Sequence, residues 1–315
     1  MSISRVSTYQ VNKNFSTQLN NTQSKFNKLT QQISSGSKIS STTEDPVSAR
    51  SIIKTTNELT NIEEYQANIK QADVELSQID DTLGSINDQL MKAHDLAMQV
   101  SNGTMGSDEL KAYQEELDAI ISNVTRLANS QSDDQYIFAG TRTTTTPYEE
   151  TDEGVKYAGN NEKRYAITGE NQKQEINLIG EEYFGEAEFT TDTTTGNITY
   201  TGGSGAFGAL YQLKAAIQNG NKINETAIKE AMSGLDTGIE KVTAGQTKVG
   251  AVSSSFDDIL SSYENDTLNL KELRSNLQDT DLSSAISDWY SSYQSMQASY
   301  QMLSQTMNVS LLNYL

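Results

Sequence analysis

The sequence predicts a mainly α-helical protein with an inserted β-rich module, built as an elongated antiparallel helical bundle, or coiled coil, in which the N- and C-terminal halves pair. Three observations lead there. Apolar residues recur at alternating steps of three and four along both ends of the chain, and a long apolar seam turns at Asn102-Gly103 into a shorter one. Between Thr141 and Gly208 the period changes from helical to strand-like.

At the N-terminal end, Phe15, Leu19, Thr22, Phe26, Leu29 and Ile33 share one face of a helix. Ser34-Ser35-Gly36-Ser37-Lys38 ends it, because Gly and clustered Ser favour turns over helix. Asp45 followed by Pro46 reads as an N-cap with Pro at the first helical position. The second helix carries a seam of Ile52, Thr55, Leu59, Ile62, Tyr65, Ile69, Ala72, Leu76, Ile79, Leu83, Ile86, Leu90, Ala93, Ala97 and Val100. From Pro46 to Asn102 it would run on the order of 85 Å. Two three-residue steps in a row between Leu59 and Tyr65 form a stammer that overwinds a coil locally.

Ser107, Asp108 and Glu109 open a third helix with Leu110, Tyr113, Leu117, Ile120, Val124 and Leu127 on its seam. Long helix, tight turn and shorter helix make an antiparallel hairpin. In the β-rich segment, Val155 to Ala158, Tyr165 to Thr168, Glu175 to Ile179 and Ile198 to Thr201 read as strands between Gly, Asn and Thr punctuation. The run Thr143 to Thr146 reads as linker and Gly202-Gly203-Ser204-Gly205 as a flexible return. Helical spacing resumes at Leu210, Leu213 and Ile217 and continues from Ile228 to Leu277, with Asp266 interrupting the seam. After a break at Asp279-Thr280-Asp281, the last helix sets Leu282, Ile286, Trp289, Tyr293, Met296, Tyr300, Leu303 and Met307 on one seam.

The two terminal seams are expected to meet each other. One partner helix does not cover the last seam fully, which leaves Leu311 and Leu312 for a neighbouring copy. Phe15, Leu19, Phe26, Leu29 and Ile33, with the terminal seam and that pair, are the expected assembly interface. The expected domains are residues 1–40 plus 280–315 as terminal assembly helices, 41–140 plus 209–279 as the helical core bundle, and 141–208 as an inserted β-rich outer domain.

A chain of 315 residues that is only 35% hydrophobic and holds two prolines suits exposed helices with narrow seams. The net charge of −19 disfavours nucleic acid and anionic membrane as partners. With no cysteine, disulfides and thiolate metal sites are excluded. Neither an N-terminal signal-peptide pattern nor a membrane-length apolar run is present, so export would need another route. His94, the single histidine, reads as a helix-surface residue, and Asp80-Asp81, Asp133-Asp134 and Glu181-Glu182 as solvated charge, because neighbouring side chains on a helix or strand point apart. No residue is assigned a catalytic, metal-binding or cofactor-binding role.

Several separated motifs, in order, resemble the flagellin family. They begin with Ile3-Ser4, Gln32-Ile33-Ser34-Ser35-Gly36-Ser37-Lys38-Ile39 and Glu44-Asp45-Pro46-Val47. Leu127-Ala128-Asn129, Tyr136-Ile137-Phe138-Ala139-Gly140-Thr141 and Thr146-Pro147-Tyr148 follow, then Asp279-Thr280-Asp281-Leu282 and Ser310-Leu311-Leu312-Asn313-Tyr314-Leu315. Within the family they are most similar to the hook-filament junction branch, hook-associated protein type 3. Glu44 stands where that family commonly has Asp, and Gln135 where Gly is usual.

The resemblance implies a structural subunit rather than an enzyme, joining the flagellar hook to the filament outside the cell. It implies export unfolded through the flagellar type III apparatus, with a chaperone on the C-terminal segment. The implied partners are further copies of the chain in lateral ring contacts, the other hook-filament junction protein and flagellin. A filament flagellin subunit is the alternative. Single-seam helices rich in Asn, Gln, Ser and Thr nucleate poorly, so residues 1 to about 40 and about 280 to 315 are expected to order only on assembly.

Overall fold

A computed structural model describes residues 2–102, 106–151, 153–192, 194–195, 197–218 and 224–312. The described residues form helices α1 (Ser2–Ser35), α2 (Pro46–Asn102), α3 (Ser107–Ala128), α4 (Gly180–Phe184), α5 (Gly205–Gln218), α6 (Glu225–Gln278) and α7 (Leu282–Leu312). The strands are β1 (Gln131–Ser132), β2 (Gln135–Tyr136), β3 (Tyr148–Thr151), β4 (Gly154–Tyr157), β5 (Tyr165–Gly169), β6 (Gln172–Glu175), β7 (Ala187–Thr191) and β8 (Ile198–Gly203). The protein is thus mainly α with a β-rich insertion, as its periodicities predict. Contacts divide it into one unit of Ile62–Tyr263 and another of Met1–Asn61 with Glu264–Leu315.

In the Ile62–Tyr263 unit, α2 and α6 pair antiparallel. His94 Nε2 lies 3.4 Å from Asp236 Oδ1, Gln246 Nε2 donates to Asp80 Oδ1 at 3.5 Å, and the rings of Tyr65 and Tyr263 stack at 6.1 Å. His94, expected on an open helix surface, is therefore turned toward α6. From Ile69 to Val100 every seam residue named from sequence is buried. On α6 the buried line runs Ile228, Ala231, Leu235, Gly238, Val242, Gly245, Val249, Val252, Phe256, in unbroken steps of three and four. Asp266, which interrupts the apolar seam, lies exposed within the continuous helix.

Gly238 and Gly245 carry no hydrophobic signal and Ala231 only a weak one, so a reading by large apolar residues passes over them. Their smallness has a packing reason. A Cβ on Gly238 would stand 3.3 Å from Ala206 of α5, and one on Gly245 would stand 3.0 Å from the Tyr183 ring of α4. Gly250, by contrast, faces open space. Gly250→Ala is therefore expected to stabilise the fold by about 0.5–1 kcal/mol, because glycine inside a helix costs about that much relative to alanine. Gly245→Ala is expected to lower the melting temperature, and chemical denaturation of the pair checks both signs.

The insertion is not a separate knob beyond the helices. Strands β3-β4-β7-β8 form an antiparallel sheet and β5-β6 a separate hairpin, and Tyr148, Val155, Phe189 and Ile198 share one core with α2, α3, α5 and α6. At the sheet edge the Asn129 amide bonds both the N–H and the carbonyl of Tyr148 at 2.9 Å, supplying the pairing a neighbouring strand would give. The β5-β6 hairpin lies along α2 and α6: Arg164 holds Glu75 through two bonds of 2.6 and 2.8 Å, and Tyr263 donates to the Thr168 carbonyl at 2.6 Å. Gly202 and Gly203 are not a flexible return but the end of β8, paired with Glu188 and Ala187 of β7, and a Cβ on Gly203 would come within 2.5 Å of the Glu186 carbonyl.

Glu175, at the end of β6, receives Lys163 and Lys248, each at 2.7 Å. Burial alone would raise its carboxyl, but the two ammonium groups hold it below the ordinary carboxylate value. With a folded pKa below the unfolded one, the contribution is present above the ordinary value of 4.5 and is lost as pH falls through the folded value. Glu175→Gln is accordingly expected to flatten the acid limb of the stability profile below about pH 5. Urea titrations at stepped pH check this, and parallel profiles would refute it.

The candidate assembly surface on the terminal helices

The unit of Met1–Asn61 and Glu264–Leu315 holds the terminal helices and the roots of α2 and α6. On α1, Phe15, Leu19, Thr22, Phe26, Leu29 and Ile33 are each less exposed than the residues on the opposite face, and Leu29 is buried. Their 3-4 spacing turns them toward α7, which runs antiparallel. Phe26 stands 5.2 Å from the Trp289 ring and 6.0 Å from that of Tyr293, and Trp289 and Tyr293 stack at 5.7 Å. Trp289 Nε1 donates to Thr30 Oγ1 at 2.8 Å, and Ser292 Oγ to the Thr22 carbonyl at 3.4 Å.

The inner face of α7 differs from the expected seam. Its least exposed line is Ala285, Trp289, Ser292, Met296, Ser299 and Leu303. Leu282, Ile286, Tyr293 and Tyr300 remain 48%, 44%, 37% and 47% exposed. At about 100° per residue the two lines lie roughly 60° apart round the helix. Ala285, Ser292 and Ser299 recur at seven-residue steps, and their small side chains let α1 approach closely. That leaves the larger apolar residues uncovered beside the contact. Sequence reasoning weighted size and missed this face; the Ala/Ser heptad is the signal that could have found it. Met307, Leu311 and Leu312 have side chains outside the described residues.

The two helical runs, α1 and α6, break at one level. Ser37 and Asp279 form an antiparallel bridge, flanked by Lys38 N–H donating to the Gln278 carbonyl at 2.6 Å and Thr280 N–H to the Gly36 carbonyl at 2.9 Å. Gly36 ends α1 with φ at +69°, a left-handed conformation that glycine adopts without Cβ strain. Each restart is capped by aspartate. Asp45 Oδ1 accepts the N–H groups of Val47 and Ser48 at 3.1 Å, and Asp281 Oδ1 those of Ser283 and Ser284 at 3.0 and 3.2 Å. The hydroxyl and N–H of Ser48 hold the Asp45 carboxyl below its usual value, and the N–H and hydroxyl of Ser40 do the same for Glu44.

The chemistry available here is association, through an exposed row of apolar and aromatic side chains on a helix already paired on its adjoining face. Among the described residues no group of three or more His, Asp or Glu could hold a metal ion. Nor is any described helix long and apolar enough to cross a membrane.

Residues 6–143 match the bacterial flagellin N-terminal helical region and residues 232–315 the C-terminal helical region, together well over half of the chain. The chain belongs to the flagellin family. Its flagellin-family relatives include flagellar hook-associated protein 3 of Salmonella typhimurium, 23% identical over 319 aligned positions that span 98% of both chains. Among solved structures, FlgL of Bacillus cereus aligns with a TM-score of 0.56 at 22% identity, covering 70% of this chain and 99% of that one. The flagellar junction protein FlgL of Legionella pneumophila gives 0.57 at 14%, covering 73% and 100%. These likenesses establish the fold. The family is one of structural flagellar proteins rather than enzymes.

Proposed function

We propose that this chain is an adaptor of the bacterial flagellum, joining the hook, through the other hook-associated protein, to the flagellin filament. The observation that carries the reading is the exposed apolar row on α7, Leu282, Ile286, Tyr293 and Tyr300, beside a seam that already has its partner. Such a row suits contacts with further copies in a ring, with the other junction protein and with flagellin. The full-length similarity to a hook-associated protein 3 supports the place of those contacts.

The subunit is exported unfolded through the flagellar type III route. A chaperone binds its C-terminal segment, and it works outside the cell without nucleic acid, membrane or cofactor. Its terminal helices complete their fold on assembly. The thinness of their contact supports this: among the described residues of α1 and α7 only Leu29, Ala285 and Ser292 are buried, too little to offset the cost of ordering two long helices.

Complementation of a deletion strain tests the role. The strain is expected to shed flagellin into the medium without building filaments, and the wild-type gene to restore them. Ile286→Glu with Tyr293→Glu is expected to restore none while changing the melting of the soluble chain by less than about 0.5 kcal/mol. Normal filaments in the deletion strain would reject the adaptor role. Purified protein growing long filaments unaided would instead favour a filament flagellin.

A further inference from the structure

Resting on the reading that α1 and α7 pair on assembly, we infer that the ladder between Gly36–Lys38 and Gln278–Thr280 is a clasp: it stays closed while the terminal helices are unpaired and holds their roots side by side in pairing register. Two main-chain bonds of 2.6 and 2.9 Å close it. Side chains on its α6 flank reinforce it. Lys38 Nζ donates to the Asn276 carbonyl at 3.2 Å, and Ser275 Oγ to Asp279 Oδ2 at 2.6 Å. On the α2 flank Asp45 fixes the helix start, and Glu44 accepts from the N–H and hydroxyl of Ser40 at 3.1 Å. None of these bonds uses a residue of the α1 or α7 seams.

An open groove of about 180 Å³ lined by Ile39, Ser40, Ala49, Ile52 and Gln278 runs beside the same loop.

The consequence is kinetic. Thr30 and Trp289 pair across 259 residues of sequence, but with Tyr65 stacked on Tyr263 the loop still open between them is about 60 residues, and the entropy of closing a loop rises with its length. With the clasp shut, the two residues lie within roughly three helical turns of a fixed point. The partner helix is then present at an effective concentration in the millimolar range, and the register is set before any seam residue touches. A neighbouring subunit has only to cover α7 while the pair zips outward.

Hydrogen exchange on the soluble full-length chain is expected to show the Lys38 and Thr280 amides protected while those of α1 and α7 exchange freely. Lys38→Pro and Thr280→Pro each delete one ladder donor. Either is expected to slow restoration of hook-filament joints about tenfold with the melting of the Ile62–Tyr263 unit unchanged. The chain has no cysteine, so a disulfide from Ser37→Cys with Asp279→Cys forms without competition. It is expected to rescue Lys38→Pro and to fail once reduced.

Ladder amides exchanging as fast as α1 and α7, joining at the wild-type rate by both proline variants, or a disulfide without rescue would overturn the clasp. Those results leave the adaptor role standing. That role falls instead if a chain lacking α7 still joins filaments.

Discussion

A chain ending at Asp281 is expected to fold its Ile62–Tyr263 unit and to join no filaments at all. The core of that unit draws on α2, α3, α5, α6 and the strands between them, with no residue of α7. Losing α7 should therefore change its unfolding free energy by less than about 1 kcal/mol. The truncation does remove Trp289, which packs against Phe26 and stacks on Tyr293, and with it the whole exposed row from Leu282 to Tyr300. Expressed in a strain lacking the wild-type gene, the shortened chain should leave flagellin in the medium and cells without filaments. Circular dichroism melting of the purified chain separates this outcome from misfolding. Normal filaments would contradict it.

The largest expected loss of stability comes from Phe184→Ala. Phe184 is fully buried at the end of α4, edge-on to Phe138 at 4.9 Å and tilted against Tyr148 at 6.2 Å. Tyr148 in turn packs on Phe207 at 4.8 Å. This aromatic cluster joins the sheet to α5. Truncating the Phe184 ring removes apolar area and leaves a space that rigid neighbours cannot refill, at a cost of about 3–5 kcal/mol. The melting temperature should fall by roughly 10 °C. A change within about 1 kcal/mol would show that the sheet and the helices do not share one core.

Much of this architecture is legible because a heptad seam is a strong signal wherever the buried residues are large. From Ile69 to Val100 the seam read from α2 is the buried line of the structure. The reading fails where closeness rather than size decides. Gly238 and Gly245 on α6 admit Ala206 and the Tyr183 ring, and Ala285, Ser292 and Ser299 on α7 admit α1. None of these five announces itself by hydrophobicity. Strands β3 and β7 were equally hidden. Tyr-Glu-Glu-Thr in β3 and Ala-Glu-Phe-Thr-Thr in β7 carry too few apolar residues for alternation to show, and their positions follow from pairing with β4 and β8.

The terminal helices show the same division. That Phe26 and Trp289 meet is written in their spacing. That Leu282, Ile286 and Tyr300 stay uncovered, and Tyr293 partly so while it touches Phe26, is not, because one apolar arc served both the intramolecular partner and the uncovered row. The misplacement locates the assembly surface proposed here, where the arc is wider than one helix can cover.

The central claim is that α1 and α7 complete their fold only against neighbours, and amide hydrogen exchange on a verified monomer tests it most directly. Residues 13–33 and 282–304 are expected to exchange almost unprotected in the monomer while residues 69–100 stay protected, and to gain protection when the subunit sits at the hook-filament joint. Strong protection of both ends in the monomer would contradict the claim.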